Sequence, residues 1–194
     1  MNQVPLDFVL ITERLLIRRL RESDASDVCT AAQKAKSELQ AWTNNSTILH
    51  HPEATFAFIA EGILTAINGT MFRAGFFDKD NGTFLGNITF GKLEKQRSHV
   101  WWVGYWCNSE YTNQGYTKEA VAGICQFLME KFQVKRLVLE CNPQNKASNS
   151  IARACGFALE GIQKNGYQNI QKEIQDVNMY AHTPETWEAF KNGH

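Results

Sequence analysis

The segment that most constrains the fold is Gly104 to Ala120, GYWCNSEYTNQGYTKEA, where a β-type run passes through a polar loop with one glycine into a long amphipathic helix. Thr117, Ala120, Val121, Ile124, Cys125, Leu128, Met129 and Phe132 recur on one helical face, while Lys118, Glu119, Gln126, Glu130 and Lys131 fall elsewhere. A strand feeding directly into a helix with one apolar stripe calls for a sheet against which that stripe can pack. The loop has chemical consequences too. The first helical turn presents backbone N–H groups with no helical acceptor, reinforced by the positive end of the helix dipole. Such a terminus holds phosphate oxygens without a cationic side chain.

The flanking sequence supplies the remaining layers. Ile11 to Arg19 reads as a first strand. Ser23 and Asp24 offer caps for a helix running toward Ala35, and a second helical stretch covers Lys36 to Trp42. Pro52 suits the first turn of a third helix, in which Phe56, Ile59, Ile63, Leu64 and Ile67 recur at helical spacing. Met71 to Phe77, Thr83 to Lys92 and His99 to Cys107 are aromatic and β-branched, and the Asp78–Gly82 turn (DKDNG) makes them antiparallel. After the central helix come a short buried-type strand, Arg136 to Cys141, and a helix from Ala147 to Cys155 stopped by Gly156. Phe157 to Lys164 and Glu173 to His182 complete the pattern as strands. The expected class is α+β: one domain over residues 1–194, with a mostly antiparallel twisted sheet of about seven strands flanked by helices.

Composition narrows function by exclusion. Twenty basic residues balance twenty acidic ones, so a nucleic-acid partner is not expected. The five cysteines include no C-x-x-C pair and the five histidines no ligand spacing, so neither a disulfide framework nor a metal is expected. Cys125, Cys141 and Cys155 sit in apolar stretches, as small core residues do. His50 and His51 precede Pro52 in a loop-like stretch and read as solvent-exposed. No run approaches the length of a membrane span, and Met1 to Leu10 lacks the pattern of a targeting segment, so a cytoplasmic monomer or homodimer is expected.

A second constellation, Asn142 to Phe157, repeats the strand–turn–helix arrangement (NPQNKASNSIARACGF). By itself it needs only helix capping by Asn145 and a first-turn role for Ser148. Together the two constellations resemble the acetyl-CoA half of the GNAT superfamily, and within it the Rim-type ribosomal-protein alanine N-acetyltransferases. The likeness is carried by ITERLLIRRL near the start, VGYW at Val103 to Trp106, GYxxEA at Gly115 to Ala120, NPxNxxS at Asn142 to Ser148, GFxLEG at Gly156 to Gly161, and DVNMYA at Asp176 to Ala181. The resemblance implies a GNAT fold and an acetyl-CoA-dependent transferase acting on a primary amine: a protein N-terminus or, alternatively, a small molecule. A non-catalytic acyl-CoA-binding module shares the same features.

The resemblance also implies roles. The backbone of Tyr105, Trp106 and Cys107 would hold the pantetheine arm, and the N–H groups of Gln114, Gly115, Tyr116 and Thr117 the pyrophosphate. Asn145 would contact the pantetheine, and Ser148 would lie near the sulfur and protonate the leaving thiolate. Trp42 and Trp102 are candidates for the acceptor cleft. Two departures stand out. Thr112 and Thr117 replace a Gln/Arg and a small residue of the usual phosphate loop. Trp102 and Tyr167 occupy places where relatives carry acids, which leaves no evident general base and makes Tyr167, beside Ser148, a candidate catalytic residue. Glu94, Glu173 and Asp176 are nearby acids in the sequence. Since roughly a tenth of an α-amine is unprotonated at pH 7, against well under a hundredth of a lysine, a missing base favours an α-amine acceptor. Cys107 offers an acyl-enzyme alternative, disfavoured because no histidine is placed to activate it.

Overall fold

Turn chemistry breaks the first expected strand in two. Thr12 accepts the Leu15 N–H through its hydroxyl (3.1 Å) and sends its own N–H to the Leu15 carbonyl (3.0 Å), so the chain reverses between β1 (Val9–Ile11) and β2 (Leu15–Arg19). The computed structural model describes residues 3–43, 50–93, 99–169 and 171–193. It adds β3 (Met71–Asp78), β4 (Phe84–Lys92), β5 (Val100–Cys107), β6 (Arg136–Cys141), β7 (Ala158–Gln168) and β8 (Ile174–His182). The helices are α1 (Ala25–Lys34), α2 (Lys36–Trp42), α3 (Pro52–Ile67), α4 (Tyr116–Gln126), α5 (Lys146–Ala154) and α6 (Pro184–Asn192). Among the described residues, no helix is long and apolar enough to cross a membrane.

All eight strands join one sheet in the order β1-β2-β3-β4-β5-β6-β8-β7. The class is the expected α+β, with one strand more because the first splits. Every neighbour is antiparallel except β5 and β6, which run parallel and pair only at Val100–Arg136, Trp101–Leu137 and Trp102–Val138. Beyond those pairs the two strands separate.

Alternation along the strands splits the core into two layers. Phe76, Ile88, Val103 and Leu139 pack with the α4 residues Ala120, Val121, Ile124 and Cys125. Phe77, Phe84 and Trp106 meet α1 to α3 through Val28, Leu39, Phe58 and Ile59. Cys125, Cys141 and Cys155 are buried, as their apolar surroundings imply. The central helix closes in a π turn, Phe127–Lys131, rather than running α-helical to Phe132.

The face of α3 is a correction. Its buried residues are Thr55, Phe58, Ile59, Gly62 and Ala66, whereas Phe56, Leu64 and Ile67 are about half exposed. The helix is rotated toward a cation. Arg73 of β3 stacks on the Phe58 ring at 3.9 Å, donates to the Phe58 carbonyl, and pairs with Glu61 at 2.8 Å. A Cβ at Gly62 would stand 3.0 Å from the Arg73 side chain, so only glycine lets the arginine lie there unmoved. Asp24 likewise does not cap α1; it accepts from Arg18 (2.7 and 2.9 Å) and from the Arg21 N–H (2.7 Å). His51 is exposed as expected, but His50 is half-buried.

The closing helix α6 lies beyond the expected elements. Thr183 and Thr186 cap it reciprocally and Pro184 begins it, a start signal legible in the sequence. It shields the fully buried His182, whose Nε2 donates to the Cys155 carbonyl at 2.9 Å and whose ring meets Phe157, Trp187 and Phe190. Burial holds this imidazole below its usual value, with the Cys155 bond opposing. With the folded value depressed, the unfolded chain binds the proton more readily, so stability is full above about pH 6.5 and declines as the pH falls through the folded value. Melting curves between about pH 5 and 8 should show this loss, and His182→Gln should remove it. A variant with the wild-type acid slope would place the titration elsewhere.

Candidate active site

Where β5 and β6 part, the sheet opens into a cleft of about 810 Å³. Its walls come from β5, the first turn of α4, the end of β6 and the first turn of α5, with α2 and β8 closing the other side. Register decides which β5 groups face it. The Asn108 N–H bonds the Leu85 carbonyl at 2.8 Å, and Trp106 and Gly104 pair with Asn87 and Thr89. In an antiparallel ladder these alternate residues give their backbone groups to β4, so the N–H and C=O groups of Val103, Tyr105 and Cys107 turn toward the missing β6. The Trp106 backbone therefore faces β4, a correction to its expected role; its side chain lines the cleft instead.

The loop before α4 is built around Gly115, the helix N-cap, at φ +82°. L-residues other than asparagine and aspartate rarely adopt that conformation. Among the described residues, the backbone N–H groups from Asn113 to Lys118 donate to no protein acceptor, and the next one, Glu119, bonds the Gly115 carbonyl. Gly115, Tyr116 and Thr117 line the cleft, whereas the Gln114 side chain turns to the Glu110 carbonyl at 3.3 Å. Thr112 spends its hydroxyl on the Ser109 carbonyl at 3.1 Å. Thr117 hydrogen-bonds Cys107, whose thiol is pushed up by burial against that bond, a poor setting for a nucleophile.

Arg14, in the β1–β2 turn, braces this loop. Its guanidinium bonds the Gln114 carbonyl at 3.0 Å and the Glu119 carboxylate at 2.7 Å, and lies 4.4 Å from the centre of the Tyr116 ring. Glu119 also accepts from the Thr12 hydroxyl (2.6 Å) and the Arg14 N–H (2.8 Å), and these bonds hold its carboxyl below the usual range despite partial burial. Nothing local in the sequence points to Arg14, because its partners lie about a hundred positions away.

Opposite the loop stands α5. Asn145 caps it by accepting the Ser148 N–H at 3.1 Å, the role its position alone suggested. The Ser148 hydroxyl lies 3.0 Å from that of Tyr105, across the cleft from Cys107. Burial holds the Tyr105 phenol far above its ordinary value, partly offset by the Ser148 bond, so it stays protonated and donates. Asn149 fixes the turn below. Its amide donates to the Asn142 and Asn145 carbonyls (2.9 and 2.8 Å), while its oxygen accepts from Asn178 and Tyr180 (2.6 and 2.9 Å).

The cleft continues onto the α1–α3 face of the sheet, where Trp42, Trp102, Trp106 and Tyr167 border Arg73, Asn87 and Thr89. Trp42 is 39% exposed, so it belongs to the cleft rim and not to the core. Of the sequence-neighbour acids, Asp176 reaches the cleft but pairs with Lys164 at 2.7 Å, which holds its carboxyl below the usual range. Glu173 bonds Asn169 and lies off the cleft, and Glu94 lies outside the described residues. Among the described residues, no group of side chains could hold a metal ion.

A parted parallel strand pair, a glycine-bent loop with unused N–H groups, and a hydroxyl pair beside a free β-edge meet in one cleft. The chain belongs to the GNAT acetyltransferase domain family, which matches residues 14–158. It is 24% identical over 173 residues to the ribosomal-protein-serine acetyltransferase of Escherichia coli K12, covering 89% of this chain and 94% of that one. To the ribosomal protein uS5-alanine N-acetyltransferase of the same organism it is 24% identical over 181 residues, covering 92% of each. Among solved structures, RimL, a ribosomal α-N-protein acetyltransferase in complex with coenzyme A, superposes with a TM-score of 0.83 at 23% identity, covering 92% of this chain and 99% of that chain. The protein is thus an acetyltransferase with the Rim-like GNAT fold.

Proposed function

We propose that the chain transfers acetyl from acetyl-CoA to the α-amine of a protein N-terminus. The observation that carries this is the free edge of β5 running between the unused N–H groups of the Gly115 loop and the Tyr105–Ser148 hydroxyl pair. A pantetheine arm is an extended chain of amides and can pair with the outward groups of Val103, Tyr105 and Cys107 as an added strand would. Its pyrophosphate then meets the start of α4, where the Gly115 bend aims the free donors.

The chemistry follows from the chain's own groups. The amine attacks the acetyl carbonyl, and the outward-facing backbone N–H of Tyr105, next to Gly104 on β5, stabilises the developing oxyanion. Ser148 donates its proton to the departing sulfur and is resupplied by Tyr105. A thiolate is a moderate leaving group, so this donor accelerates without being indispensable. The N-terminal acceptor is supported by the ribosomal-protein acetylation for which the two Escherichia coli relatives are named and by the fraction of α-amine already free at neutral pH.

The test is release of coenzyme A thiol with three acceptors: a peptide with a free N-terminus, the same peptide blocked there but carrying lysine, and a polyamine. Turnover with the first alone is expected. Turnover confined to the polyamine would make the acceptor a small molecule, and release with none would remove the catalytic reading. Ser148→Ala should lower turnover on the free peptide about ten- to a hundredfold while leaving acetyl-CoA affinity unchanged. Full turnover in that variant would strip Ser148 of its role.

A further inference from the structure

The α1–α3 side of the cleft contains a slot that the acetyl-CoA side does not use. On this face the β5 side chains are Trp102, Gly104 and Trp106, so the middle position is bare. A Cβ built on Gly104 would meet nothing within 4 Å except the Trp102 ring, at 3.1 and 3.7 Å. The floor of the slot is therefore backbone, and one wall is an indole. Thr89 of β4 lies beside Gly104 in register.

The far side is set by β6. Val138 pairs with Trp102 and packs with it on this face. Two residues further, the same alternation places Glu140 on the same face, and continuing the register across the parted strands sets Glu140 against Gly104. Glu140 is exposed and lines the cleft, and among the described residues no hydrogen bond or ion pair engages its carboxylate. The other charged groups on this side are occupied or at the rim. Arg73 is held by Glu61, Asp176 by Lys164 and the Asn165 N–H, and Glu38 projects from α2 beside Trp42.

We propose that the acceptor amine binds over Gly104 between the indole of Trp102 and the carboxylate of Glu140, and that Glu140 is the general base that deprotonates it. This deepens the acetyltransferase reading and rests on it. An indole face and a carboxylate both favour an ammonium over a neutral group, so the slot selects amines. With no Cβ at Gly104 the Trp102 ring lies close over the strand, and the –NH3+ sits between that ring and Glu140 with the peptide running along β5. The proton balance is complete. The ammonium gives one proton to Glu140, which passes it to solvent. The nitrogen lone pair then forms the C–N bond, the C–S bond breaks with its electrons on sulfur, which takes a proton from Ser148, and the second nitrogen proton passes through solvent to the Tyr105–Ser148 pair to restore it.

The experiment uses the whole chain, acetyl-CoA and a peptide with a free N-terminus. Glu140→Gln should keep the wild-type acetyl-CoA affinity by calorimetry yet lose about ten- to a hundredfold in kcat/KM near neutral pH. That deficit should shrink as the pH passes the amine's own value, about 8, because the acceptor then arrives already deprotonated. Glu140→Asp should recover part of the loss. Gly104→Ala, which fills the slot, should raise KM for the peptide without weakening acetyl-CoA. A Glu140→Gln enzyme with wild-type kcat/KM, or with a loss equal at every pH, overturns the base while leaving the acetyltransferase standing. A wild type that releases no thiol with any amine overturns the reading beneath it, and the base with it.

Discussion

Gly115→Asp should abolish acetyl-CoA binding at the concentrations where the wild type saturates, a loss of at least about a hundredfold. Two effects add. Gly115 sits at φ +82° as the N-cap of α4, and a side chain there costs roughly 1 kcal/mol of backbone strain, less for aspartate and asparagine. The larger effect is charge: a carboxylate at the point where the free N–H groups converge repels a phosphate about 4 Å away by about 4 kcal/mol at the effective dielectric of a protein surface. A Cβ at this position would stand 3.3 Å from the Arg14 guanidinium, so the new carboxylate would also draw that cation off the loop. Gly115→Asn separates the two effects, because it keeps the shape and omits the charge; about a tenfold loss is expected by calorimetry. If Asp and Asn weaken binding equally, the loop acts by shape alone. If Asp binds as wild type, the phosphates lie elsewhere and the cleft holds a different ligand.

Asn149→Ala should destabilise the fold by about 3 kcal/mol. Asn149 is only 4% exposed and links two carbonyls of the 142–148 turn to Asn178 and Tyr180 of β8. Alanine leaves the Asn178 amide buried with no acceptor among the described residues and removes the acceptor of the Tyr180 hydroxyl, at a cost of roughly 1–3 kcal/mol for each orphaned group. For a chain of this length the melting temperature should fall by about 6–12 °C. Catalysis should fall with it, since the same turn carries Asn145 and Ser148 into the cleft. A shift of less than about 2 °C would mean that water replaces the lost bonds and that the network is not what holds the turn.

How much of this was legible beforehand follows from the range of each interaction. The strand–loop–helix at Gly104 to Ala120, the hairpin turn ending at Gly82 (φ +76°), the cap at Asn145 and the stop at Gly156 (φ +80°) depend on neighbours a few positions apart, and the structure has all four. Periodicity failed on α3, because it locates the apolar stripe and the helix instead turned Gly62 and Phe58 toward a buried arginine contributed by β3. Trp42, named from the sequence as a candidate for the acceptor cleft, lines that cleft at its rim.

The candidate site divides in the same way. The family resemblance grouped Tyr105, Cys107, Gly115, Thr117, Asn145 and Ser148, and all six line the one cleft, each in a run whose local conformation its neighbours dictate. Only the tertiary structure turned the Trp106 backbone away, set Arg14 against the loop, brought the Tyr105 hydroxyl to Ser148, and left Glu140 exposed in the cleft. Those relations depend on strand register and on contacts between residues some 40 to 100 positions apart. A local pattern specifies an element and its apolar side, whereas the partner of a polar group is chosen by which elements the closed sheet brings together.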